Sequence, residues 1–135
     1  MSKLGGHLLV DCLVSLGAKQ AFGVPGESYL AVLDGFYERG NSTDFMICRQ
    51  EGGAAYMASA YGKLTGEPGL CFVTRGPGAT NASVGIHTSM QDSSPMIVFI
   101  GQVGMDMRER EAFQEIDYRA MFGKVAKWVT EIEDP

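Results

Sequence analysis

Leu70-Cys71-Phe72-Val73 runs through Thr74 into Arg75-Gly76-Pro77-Gly78-Ala79-Thr80-Asn81, an apolar strand delivered into a glycine turn and the start of a helix. Upstream, Phe45-Met46-Ile47-Cys48 leads into Arg49-Gln50-Glu51-Gly52-Gly53, where a carboxylate opens a helix of small residues. In a parallel α/β sheet both junctions fall at the carboxyl ends of strands, the edge where such folds bind ligands. One acid and one loop of close-approach backbone then converge on one crevice. That pairing suits a ligand needing a proton partner more than one needing a phosphate grip.

The rest of the chain continues this rhythm. Leu8, Leu9, Cys12, Leu13 and Leu16 form a helical stripe over Leu4–Leu16, closed by Gly17. Gln20–Val24 reads as a short strand stopped by Pro25-Gly26, and Leu30–Tyr37 as a helix stopped by Gly40-Asn41. Phe45–Cys48 reads as a buried strand. Gly52–Leu64 reads as a helix with Tyr56, Met57, Ala60, Tyr61 and Leu64 on one face. Leu70–Val73 and Met96–Ile100 are apolar enough for burial on both faces, with a helix over Ala79–Met90 between them. Beyond Gly101 the pattern loosens. Ala112-Phe113-Gln114-Glu115 is expected to be a loop returning to the crevice, Tyr118–Phe122 a short helix and Ala126–Val129 a last strand. Alternating strands and helices predict a three-layer α/β/α fold with a mainly parallel sheet. A single domain over residues 1–135 follows from the length. Asp134-Pro135 has the form of a helix cap and first helical residue, so the sequence reads as a piece of a longer protein.

Composition narrows the partners. A net charge of -5 with no basic cluster excludes nucleic acid, which demands a cationic surface. No apolar run is long enough to span a bilayer, and the N-terminus lacks a signal-peptide core, so no membrane partner and a cytoplasmic location are expected. Cys12, Cys48 and Cys71 lack metal spacing and sit in apolar segments, as reduced core thiols do. His7 and His87 are isolated, and no metal site is expected.

Glu51 has two readings. A carboxylate at a helix start is favoured by the macrodipole alone, by about 0.3–1 kcal/mol. It also suits a buried acid sharing a proton with a ligand nitrogen, since burial favours a carboxyl's neutral form. The Gly76–Asn81 turn serves equally as a plain strand-to-helix connection. It is a poor nucleotide fingerprint, because Asn81 stands at the third glycine position and no Gly-Lys-Ser/Thr is present.

Phe22-Gly23-Val24-Pro25-Gly26, Arg49-Gln50-Glu51-Gly52, Gly76-Pro77-Gly78-Ala79-Thr80-Asn81, Gly101-Gln102-Val103 and Ala112-Phe113-Gln114-Glu115, taken in this order, resemble one family. It is the N-terminal pyrimidine-binding domain of thiamine-diphosphate-dependent enzymes, in the acetolactate synthase-like group. The resemblance implies that Glu51 hydrogen-bonds the pyrimidine N1′ of the cofactor, favouring the tautomer that removes the thiazolium C2 proton. It implies that Pro25, Pro77 and Asn81 border the pyrimidine and that Gln114 reaches the reaction centre. It also implies a 2-oxo acid substrate, carboligase or decarboxylase chemistry, and a homo-oligomer. The diphosphate and its Mg²⁺ belong to a second domain or subunit, whose Gly-Asp-Gly motif is absent here. Two positions depart from acetolactate synthases: Gln50 stands where His is usual, and Glu27-Ser28 where Gly-Ala is usual. A small subunit of a two-chain thiamine-diphosphate decarboxylase, or a non-catalytic partner-binding domain, are the alternatives. An apolar surface left open around the crevice is expected in each case.

Overall fold

The computed structural model describes residues 3–134. Its elements follow in order: α1 (Gly5–Ser15), β1 (Gln20–Gly23), α2 (Leu30–Arg39), β2 (Asp44–Ile47), α3 (Glu51–Thr65), β3 (Gly69–Val73), α4 (Pro77–Asp92), β4 (Met96–Ile100) and α5 (Tyr118–Phe122). Short 3₁₀ turns occupy Glu27–Tyr29, Gly40–Ser42 and Met105–Met107. The four strands form one sheet in the order β2-β1-β3-β4, every pair parallel. The fold is the three-layer α/β/α arrangement read from the sequence.

Layering follows from the direction of growth. The sheet extends one way from β1 to β2, then reverses to place β3 and β4 on the other side of β1. Right-handed crossovers therefore put α2 on one face and α3 and α4 on the opposite one. The two cores agree. Val10, Leu13, Val32 and Phe36 pack with Leu70 and Phe72 on the α1–α2 side. Ala54, Ala55, Ala58, Ala82 and Ile86 pack with Phe22, Cys71 and Val73 on the other. Adjacent residues of β3 thus serve opposite cores, and all five are buried. Phe72 stacks on Phe99 at 4.5 Å and meets Phe36 edge-on at 5.3 Å, tying β4 and α2 to the central strand.

The structure overturns several expectations. β2 is an edge strand, not a buried one, with Ile47 67% exposed. β4 also lies at an edge, and Ile97 faces solvent. Neither strand has neighbours on both sides, which apolar composition alone does not reveal. In α3 the large side chains Tyr56, Met57 and Leu64 are exposed, and Gly52, Ala54, Ala55, Ala58, Ser59 and Gly62 face inward. Ala126–Val129 forms no strand, and Cys12 is exposed although Cys48 and Cys71 are buried. Pro135, the second half of the expected cap, lies outside the described residues.

The inward orientation of the small α3 residues has a steric cause. A Cβ on Gly85 of α4 would stand 2.5 Å from the Ala55 Cβ and 2.9 Å from its carbonyl carbon. The two helices therefore approach at backbone distance, which only small residues permit. Gly85→Val should lower stability by about 2 kcal/mol or more through overpacking. Gly53→Ala, where a Cβ meets nothing within 4 Å, should instead raise it by up to ~1 kcal/mol through helix propensity. Urea midpoints with unchanged slopes would read both, and equal shifts for the two would contradict this packing.

Candidate active site

β1 and β3 are hydrogen-bonded neighbours reached by chains leaving in opposite directions, so a crevice opens at their carboxyl ends. Three segments meet there. After β1 the chain turns through Pro25-Gly26. A Cβ on Gly26 would stand 2.7 Å from Thr74 Oγ1, so glycine lets this loop close on the end of β3. Ser28 Oγ lies 2.8 Å from Thr74 Oγ1 and accepts the Arg75 N–H at 3.1 Å. Below them the Tyr29 hydroxyl donates to the Val24 carbonyl at 2.5 Å.

The second segment is the glycine turn. Gly76 has φ +59, a conformation that favours glycine, and its N–H donates to Tyr118 Oη at 2.8 Å. Pro77 follows at the first helical position of α4, where its missing N–H costs no hydrogen bond. The third segment returns from beyond β4, as read from the sequence. A Cβ on Gly76 would stand 2.7 Å from the Gln114 Cβ, so this residue rests directly on the turn. Gln114 itself has φ +64, and Glu109 and Glu111 are also left-handed. Such backbone costs of order 1–3 kcal/mol per residue and persists only where neighbours hold it.

Glu51 is the first residue of α3. Gln50 caps that helix, its Oε1 accepting the Gly53 N–H at 2.9 Å. The Glu51 carboxylate is half-buried rather than buried as expected. Its Oε2 accepts from Asn81 Nδ2 at 3.0 Å, one turn into α4. Its Oε1 lies 3.6 Å from where a Gly78 Cβ would stand and has no hydrogen-bond partner among the described residues. One oxygen is thus oriented and the other is open beside bare backbone. Pro25, Pro77 and Asn81 are exposed, and Gln114 is half-buried.

Competing acid–base groups are silenced. Burial pushes the Cys71 thiol up to about 12, with smaller contributions from Cys48 and Glu51. Burial also raises Cys48, and it raises the Tyr29 phenol above its usual range. All three stay neutral at neutral pH.

The returning loop is braced by Glu115, whose carboxylate accepts the Glu109 N–H at 2.6 Å and the Ala112 N–H at 3.1 Å. The Glu109 bond, the largest cause, holds the Glu115 carboxyl below the usual range. A lowered folded-state pKa means that this bracing is present above the ordinary carboxyl range and lost as pH falls through the lowered value. The Glu109 and Ala112 amide resonances should therefore titrate together, with a midpoint below ~4.3, the unperturbed glutamate value. A midpoint at or above that value would remove Glu115 from this role.

Sequence reasoning gave no role to Arg75 or Tyr118, and noted Glu27 only as a departure from the family pattern. Arg75 is buried, with Nε donating to the Phe113 carbonyl at 3.0 Å and Nη2 to Glu27 Oε1 at 2.6 Å. The available signal was a lone cation closing an apolar strand one residue before the glycine turn. His7 is not isolated either: its Nε2 lies 2.9 Å from Asp34 Oδ2 and its Nδ1 3.1 Å from Glu38 Oε2. Each ring nitrogen already meets a carboxylate, so the trio is a bridge from α1 to α2. His87 is exposed on α4.

The donor set fits a flat nitrogen heterocycle, with an open carboxylate oxygen for a ring nitrogen and glycine backbone for close approach. It does not fit a diphosphate, because the one cation at the turn, Arg75, is committed to Glu27 and Phe113. Comparison with known proteins shows the family. Residues 3–121 match the family described as thiamine pyrophosphate enzyme, N-terminal TPP binding domain. The chain is 38% identical over 130 residues to the acetolactate synthase of Bacillus subtilis, covering 96% of this chain and 22% of that protein. It is 40% identical over 130 residues to the mitochondrial acetolactate synthase catalytic subunit of Aspergillus candidus, covering 95% and 18%. Against the acetolactate synthase isozyme 3 large subunit of Escherichia coli it is 40% identical over 123 residues, covering 91% and 21%. The chain spans about a fifth of the length of these curated relatives.

Proposed function

The chain belongs to the family of thiamine pyrophosphate enzyme N-terminal TPP-binding domains, and on that premise we propose that it forms the pyrimidine-binding half of a thiamine-diphosphate site. Thiamine diphosphate is the cofactor of this family. The complete enzyme, in this proposal, makes or breaks carbon–carbon bonds of 2-oxo acids, as an acetolactate synthase-like carboligase or decarboxylase. One observation supports it: the Glu51 carboxylate is steadied by Asn81 on one oxygen and has the other open beside Gly78 of the turn after β3.

When bound, the cofactor supplies carbanion chemistry next to a carbonyl. The chain supplies position and one proton. Glu51 Oε1 holds a proton against a ring nitrogen, Asn81 keeps the carboxylate from rotating away, and Pro25 and Pro77 border the ring. Gln114 serves the substrate side, where an amide holds an oxygen without titrating. Mg²⁺ and the diphosphate fall to a second domain or a partner subunit. The two departures from acetolactate synthases both have structural employment, Gln50 as the α3 cap and Glu27 as the Arg75 partner. The acyl acceptor is therefore left open in this proposal.

The test uses the full-length protein with thiamine diphosphate and Mg²⁺. Deuterium exchange at the cofactor C2 should exceed that of free cofactor, and pyruvate, a simple 2-oxo acid, should be decarboxylated or condensed. Exchange no faster than in free solution would overturn the reading. No helix among the described residues is long and apolar enough to cross a membrane. Tyr56 and Met57 on α3 and Val84 and Met90 on α4 are instead exposed, and they support docking on further protein, including a second copy. Sedimentation at rising concentration should show association that charged substitutions at Tyr56 and Met57 weaken; a monomer throughout would count against it.

A further inference from the structure

Arg75 is a buried cation whose partners come from two other chain segments. Through Nη2 it holds Glu27, which is 73% exposed and has no packing of its own to fix it. Through Nε it holds the Phe113 carbonyl, and Gly76, the next residue, receives Gln114 against its bare Cα. The dipeptide Arg75-Gly76 is thus set against the dipeptide Phe113-Gln114. The returning loop has little apolar anchorage here, since the Phe113 side chain is 75% exposed. Gln114 nonetheless adopts a left-handed backbone that something must hold. A planar guanidinium with donors in a fixed fork can meet both acceptors at once, which a lysine ammonium cannot do with the same geometry.

We propose that Arg75 is a positioning residue for the substrate half of the reaction, acting through Gln114 by locking the Phe113–Gln114 segment onto the glycine turn. The proposal rests on the thiamine-diphosphate reading above. Glu51 stands outside this tie, since its partner Asn81 belongs to α4 and makes no contact with Arg75 among the described hydrogen bonds. Arg75 therefore governs substrate turnover and leaves cofactor activation alone.

The experiment compares wild type, Arg75→Met, Arg75→Lys, Gln114→Ala and the Arg75→Met/Gln114→Ala double variant in the full-length protein. Arg75→Met should raise amide exchange at residues 112–115 by about tenfold with α1 unchanged, lower kcat by about tenfold and leave C2 exchange within about twofold, as a misplaced positioning group does. Arg75→Lys should give smaller changes of the same kind. The double variant should be no slower than Gln114→Ala alone, because both changes remove one function. Unchanged protection at 112–115, losses that multiply in the double variant, or C2 exchange falling with kcat would each overturn the proposal. If Arg75→Met also loosens α1, Arg75→Lys decides by the same criteria. Failure of C2 exchange in wild type would sink the thiamine-diphosphate reading instead, and the amide-exchange arm would still judge the tie.

Discussion

Glu51→Gln is expected to abolish C2 proton exchange of the bound cofactor in the full-length protein, a loss of at least ~10²-fold, the low end of what a placed acid or base contributes. The substitution is close to isosteric. A glutamine amide oxygen can still accept from Asn81 Nδ2, which lies 3.0 Å from the native carboxylate. The helix cap from Gln50 to Gly53 does not involve the Glu51 side chain. What should disappear, on the role proposed for Glu51, is a group at the open oxygen able to take and return a proton. Gln114→Ala should leave C2 exchange largely intact and instead lower turnover or alter product ratios. Gln114 belongs to the returning loop, and its Cβ and backbone rest against Gly76. If Gln114→Ala stops C2 exchange as completely as Glu51→Gln does, the division between cofactor activation and substrate handling is wrong.

The second large effect concerns affinity. The 135-residue chain by itself should bind thiamine diphosphate and Mg²⁺ no more tightly than the low-millimolar range, about -4 kcal/mol. The crevice presents an open carboxylate oxygen and glycine backbone, and its one buried cation is spent on Glu27 and Phe113. Among the described residues, no cluster that could complete a metal shell lies at this site, and its buried cation is not free for a diphosphate. Calorimetry over a millimolar range should show weak, heat-poor binding that Glu51→Gln barely changes. Micromolar affinity would mean that this domain grips the diphosphate itself, and the shared-site proposal would fall.

How much of this was legible in the sequence depended on which forces set each feature. Strand and helix order was legible, because alternation of apolar runs with helical stripes is a local signal, and all four long helices and four strands lie where those signals are. The convergence of Glu51 with the Gly76–Asn81 turn was also legible, since a parallel sheet brings every strand-to-helix junction to one edge. The same logic carried the return of Phe113–Gln114 to the crevice, although only as a loop of unstated path. Burial was read less well. Phe45–Cys48 and Met96–Ile100 resemble central strands, yet the order β2-β1-β3-β4 puts both at edges. An apolar strand does not record how many neighbours it has.

The sequence by itself determined the fold class, the family and the edge at which the acid and the glycine turn meet. Each rests on patterns a few residues long, repeated in order along the chain. Tertiary structure alone decided which face of α3 is inside. Gly85 and Ala55 meet at backbone distance, and that close approach outweighs the burial of Tyr56, Met57 and Leu64. It alone decided that Glu51 is half-buried, with one oxygen held by Asn81 from thirty positions along the chain. It alone disclosed Arg75, whose partners Glu27 and Phe113 lie 48 and 38 residues away. A hydrogen bond needs its two groups within about 3 Å, and no local pattern encodes a meeting between segments that only the folded sheet brings together.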